Sequence, residues 1–104
     1  MPLGPARLRL VGDIDRASSK MLSETAYWLT ALAPASVVID LAAVTFAGSA
    51  LLNFLSRLSG ALPTDTDLIL WRPQPGIEMI LRVPGLTPKS ILYQGPLEPW
   101  AMGS

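Results

Sequence analysis

The 104-residue chain contains no cysteine and no histidine. Disulfides, thiol chemistry, the common zinc sites and any histidine-dependent catalytic triad are therefore excluded. Charge is scarce too: Asp, Glu, Lys and Arg make up 15% of the residues, eight basic against eight acidic, for a formal net charge of zero. No basic stripe offers itself to a nucleic acid backbone, so nucleic acid is not an expected partner. No apolar run approaches the roughly 20 residues of a membrane span, so direct membrane insertion is not expected. The opening Met1-Pro2-Leu3-Gly4-Pro5 lacks the long apolar region of a secretion signal. On these grounds the protein is expected to be cytoplasmic.

What remains is apolar: such residues make up 50% of the chain. That content argues for a folded domain rather than disorder, and the length suits a single hydrophobic core. We expect one domain over residues 1–104, with a core of about 7–93 and loose tails at 1–6 and 94–104. With so few charges, part of the surface is expected to be apolar and covered, for example by a second copy of the chain.

The chain is organised around Val37 to Leu55. Val37-Val38-Ile39-Asp40-Leu41 reads as a central strand covered on both faces. A short connection follows. Leu51, Leu52, Leu55 and Leu58 then recur at helical spacing and mark an inward face. Gly48-Ser49 falls where this helix begins, and Ser49 is placed to cap it by accepting a backbone N–H bond. Its hydroxyl would lie at the positive end of the helix dipole, where a phosphate is well accommodated.

Before this unit, Arg7-Leu8-Arg9-Leu10-Val11 alternates as a strand with one wet face, and Gly12-Asp13-Ile14-Asp15 ends it in a turn. Asp15, Ser18 or Ser19 caps a helix whose stripe is Leu22, Ala26, Leu29 and Leu32, with Tyr27 and Trp28 beside it and Pro34 stopping it. After the unit, Gly60 and Pro63 punctuate the helix end, and Leu68-Ile69-Leu70-Trp71 is a strand. Pro73 and Pro75 lead into a helix carrying Ile77, Ile80 and Leu81; Val83-Pro84-Gly85-Leu86 breaks it, and Ser90-Ile91-Leu92-Tyr93 closes the pattern as a strand. Helices alternating with strands predict an α/β domain: a mainly parallel sheet of about four strands, with right-handed crossovers.

Two segments resemble the STAS family, which includes the bacterial anti-sigma factor antagonists and domains of sulfate transporters. Leu10-Val11-Gly12-Asp13-Ile14-Asp15 resembles the family's "L-x-G-[ED]-[LI]-D", and Val37-Val38-Ile39-Asp40-Leu41 through Val44-Thr45-Phe46 resembles "V-V-[LI]-D-L-x-x-V-x-F". The family continues with "[IM]-D-S-[ST]-G-[LI]", whose first Ser is the one phosphorylated by a partner kinase. Here the register reads Ala47-Gly48-Ser49-Ala50-Leu51-Leu52. Ser49 keeps the acceptor position. Gly48 replaces an Asp expected to help hold the hydroxyl or the kinase contact. Typical members also carry a strand before the "L-x-G" strand and a last helix, and neither is evident in this sequence. A missing outer strand would leave a sheet edge to be covered, for example by dimerisation.

The resemblance implies a regulatory, protein-binding domain that is not an enzyme and has no cofactor of its own. Its partner would be an anti-sigma factor of the serine-kinase type, with ATP and Mg²⁺ belonging to that kinase. Ser49 would be the phosphorylated switch. Gly48, Ser49, Ala50, Leu51 and Asn53, with Asp13 and Asp15, would form the partner-binding surface. A second reading makes Ser49 a helix cap only and the domain a fixed subunit of a multi-STAS complex or an ABC-type transporter. Bottom-up, no nucleophile–base pair points to an enzyme. The Asp13/Asp15 spacing fits a capped turn better than a catalytic or metal-binding carboxylate pair, so no metal site is expected. Asp40 fits a residue bonding backbone at a strand's exit. Trp28, Trp71 and Trp100 are candidates for packing or for a binding surface.

Overall fold

A computed structural model describes residues 5–82 and 90–94, with the side chains of 90–93 left out. The order is β1 (Ala6–Ile14), a single 3-10 turn (Arg16–Ser18), α1 (Ser19–Ala31), β2 (Ser36–Ala47), α2 (Ser49–Ala61), β3 (Asp67–Trp71), α3 (Pro75–Leu81) and β4 (Ser90–Tyr93). The four strands form one sheet in the order β1-β2-β3-β4, and every neighbouring pair is parallel. The expected α/β class and mainly parallel four-stranded sheet are thus observed.

One core binds the layers together. Leu10 and Ile14 of β1, Val37, Ile39, Leu41 and Val44 of β2, and Leu68 and Leu70 of β3 meet Leu22, Ala26 and Leu29 of α1, Leu51, Leu55 and Leu58 of α2, and Ile77 and Leu81 of α3. All three helices therefore pack on the same face of the sheet. Each fully buried Leu or Ile contributes about 2 kcal/mol of transfer free energy, which is how a domain this small offsets its chain entropy. On the opposite face Val38 and Ile69 form a small separate cluster with half-buried Trp71. The Arg72 guanidinium lies 5.4 Å from the Trp71 ring centre. Arg72 itself has φ +55, a left-handed turn directly after β3.

Three sequence expectations need correction. β1 does not end at Val11: it runs on to Ile14 through Gly12, whose φ of +80 lets the backbone turn without leaving the sheet. β2 does not stop at Leu41: it continues to Ala47, so no separate connection precedes α2. Register slips between Arg9 and Val11 and between Gly12 and Asp13 each give β2 one extra residue against β1. Such bulges break strict alternation, which is why residues 42–47 do not read as strand. Leu32 is not core: α1 ends at Ala31 and Leu32 is 37% exposed. Of the three capping candidates for the first helix, Asp15 acts, accepting a bond from the Ala17 N–H at 3.0 Å, while Ser18 makes no side-chain cap bond. The Val83–Leu86 breaker and Trp100 lie outside the described residues.

Candidate functional site

The candidate residues gather where β1 and β2 end together. Parallel pairing sets Asp13 beside Phe46 and Ile14 beside Ala47. The Gly48 N–H then donates to the Ile14 carbonyl at 3.1 Å, pinning the start of α2 to the end of β1. Across the same pair, the Thr45 hydroxyl donates to Asp13 Oδ1 at 2.9 Å. Asp15 thus bonds the backbone of the 3-10 turn while Asp13 bonds a side-chain hydroxyl of the neighbouring strand, and both side chains stay exposed. Asp40 bonds backbone as expected, accepting from the Ala42 N–H at 3.0 Å.

Ser49 does not cap α2. Gly48 is the N-cap, with extended φ −102 and ψ −160, and Ser49 is the first helical residue. The Leu51 N–H closes the first turn onto the Gly48 carbonyl at 3.2 Å, so the helix starts one residue earlier than a Ser49 cap would require. The Ser49 side chain is exposed and makes no hydrogen bond among the described residues. Its hydroxyl stands at the positive end of a 13-residue helix.

Asn53 is exposed one turn further along the face that carries Ser49. Ala50 and Leu51 point the other way, at 6% and 0% exposure, so only their backbone reaches this surface. Nothing special is required of the backbone at Gly48. A side chain there would meet the Phe46 ring at 3.8 Å, an ordinary contact, so an Asp would fit.

Two residues of this surface are not foreseen in the sequence. Val11 and Phe46 are 65% and 55% exposed, an apolar pair beside Asp13. Read by alternation, Phe46 follows Val44 onto the same face. The register slip before Asp13 turns it to the opposite one.

A family model described as "Mlab, STAS domain" matches residues 2–93. The chain belongs to the STAS family. STAS domains are regulatory and non-enzymatic. Among solved structures, this STAS chain is similar to the anti-sigma factor antagonist SpoIIAA in its unphosphorylated form. The TM-score is 0.62 at 15% identity, covering 86% of this chain and 79% of that one. At that identity the likeness is one of fold. No curated protein sequence matches the chain. None of the helices among the described residues is long and apolar enough to cross a membrane.

Proposed function

We propose that this STAS domain is an anti-sigma factor antagonist, docking on a serine-kinase anti-sigma factor and thereby releasing a sigma factor. The observation that carries the reading is the Ser49 hydroxyl, exposed and unbonded at the first turn of α2 and beside the Asp13–Asp15 segment. SpoIIAA, on the same fold, is described as an anti-sigma factor antagonist. The docking surface is Ser49, Asn53, the Gly48–Leu51 backbone, Asp13 and Asp15, widened by Val11 and Phe46.

The switch is electrostatic. The partner kinase holds ATP and Mg²⁺. Ser49 Oγ attacks the γ-phosphorus, the bond to the β-phosphate oxygen breaks, ADP leaves, and the hydroxyl proton passes to a base on the kinase. The phosphoserine carries nearly two negative charges at neutral pH. The first N–H groups of α2 stabilise it on this side. A partner surface shaped for a neutral hydroxyl rejects it, so binding is lost with the fold unchanged.

Gly48 favours a second reading. With no carboxylate at the N-cap, no side chain of the cap orients the Ser49 hydroxyl. In that case the domain is a constitutive subunit of a multi-STAS signalling complex or an ABC-type transporter. Affinity purification from native cells, with mass spectra of bait and partners, separates the two. Phosphate on Ser49 with a kinase-type partner supports the switch. Unmodified Ser49 in every growth phase, with stable recovery of a transporter or multi-STAS complex, supports the fixed subunit.

A further inference from the structure

The geometry points to a second copy of this chain as the partner of the β1 edge, paired antiparallel about a two-fold axis to make a continuous eight-stranded sheet. β1 pairs with β2 on one side, and among the described residues no strand pairs with it on the other. At nine residues it is long for an edge, since typical strands run about five or six. An unpaired edge of that length is a template for another strand.

The charges along β1 choose the occupant and its direction. Arg7, Arg9 and Asp13 alternate onto the exposed sheet face, away from the helices, and Asp15 follows just beyond the strand. The start of this face is basic and its end acidic. Parallel self-pairing would set like charges together. Antiparallel self-pairing that keeps each face on its own side can centre on Leu10 or on Val11. Centred on Leu10, it places Arg7 opposite Asp13 of the other copy; centred on Val11, it places Arg9 opposite Asp13. Either register gives two cross-chain pairs by symmetry, and opposite charges directly across strands are favourable while like charges are not. Within the described residues the one ion pair is Arg82–Glu78, so these arginines are not already committed.

A second observation lies beside the edge. Met21 and Trp28 of α1 and Leu32 at its C-cap, at 58%, 67% and 37% exposure, form a stripe. With Pro5 to Leu8 they line a groove of about 730 Å³. A two-fold at β1 brings α1 of each copy to the same face of the joined sheet, stripe toward stripe. One operation thus fills the hydrogen bonds of the edge, matches its charges and covers the apolar stripe.

Sedimentation of the full chain across a wide concentration range tests this, with three variants. The native chain is expected to double its mass reversibly. Arg7→Glu/Arg9→Glu is expected to weaken self-association about tenfold or more, because both cross-chain pairs become repulsive. Trp28→Glu is expected to weaken it similarly. Asp13→Arg/Asp15→Arg alone is also expected to lose self-association, and mixing it with the Arg7→Glu/Arg9→Glu chain is expected to restore a mixed dimer, since every facing pair is then opposite in sign. Circular dichroism checks that each variant folds. If the aspartate variant does not, the arginine and tryptophan variants decide alone. A native chain that stays monomeric throughout overturns the inference, and so does a dimer unmoved by the arginine and tryptophan changes.

Discussion

The two halves of β2 are built for different ends. From Val37 to Asp40 the strand is paired on both sides, with β1 and with β3, and Val37, Val38 and Ile39 have no exposed surface. From Leu41 to Ala47 it pairs with β1 alone and slips register twice. It turns Thr45 and Phe46 outward, and Gln74 reaches its free side, donating to the Ala42 carbonyl at 3.2 Å. The first half holds the layers together. The second presents exposed groups, and its register slips are what turn them outward. One strand thus moves from structural duty to presentation within a few residues, and it can do so because β3 stops at Trp71.

Substitutions in the two halves should separate stability from binding. The largest effect is expected at Ile39→Ala, which empties a fully buried site and costs about 3 kcal/mol, read as a fall in the urea midpoint. In the outer region, Ser49→Asp should leave that midpoint in place while lowering affinity for the kinase-type partner by about 100-fold, roughly 2.7 kcal/mol. Calorimetric titration measures it, and retained binding by the aspartate variant would sink the switch. Phe46→Ala should follow, weakening partner binding about tenfold as an exposed aromatic anchor is removed, with little change in thermal stability because the ring is 55% exposed. Gly12→Ala should cost about 1 kcal/mol through backbone strain at φ +80. No neighbour lies within 4 Å of the added carbon, so Gly12→Asn should cost less. The smallest expected shift sharpens the cap correction. Gly48→Asp should raise stability by about 0.5 kcal/mol as a new N-cap acceptor, whereas Ser49→Ala should move it by less, since the hydroxyl caps nothing.

The half of β2 that does structural work is also the half that could be read from the amino acids. Val37 to Leu41 is an apolar run broken only by Asp40 because both faces are covered, and α2 is legible because Leu51, Leu55 and Leu58 fall on one buried stripe. The same rule applied to Val44 and Phe46 misplaces the phenylalanine, because local pattern carries no sign of a register slip set by the partner strand. Ser49 illustrates a finer limit. Its presence near a helix start was clear, but N-cap and first helical residue differ by one position, and that position decides whether the hydroxyl is used or free. Ala50 and Leu51 belonged to the candidate surface by adjacency to Ser49, and helical geometry turns them 100° and 200° away from it, into the core.

The hydrogen bond from Gly48 to Ile14 has a practical consequence. That amide proton is shielded from solvent exchange only while the first turn of α2 stays seated on the end of β1. It therefore acts as a gauge placed at the junction itself. Its exchange rate, followed as one resonance, counts how often the junction opens, separately from global unfolding. A phosphoryl group on Ser49 that works by charge alone leaves the rate unchanged. One that works by prising the helix from the strand speeds it, and a single proton tells the two apart.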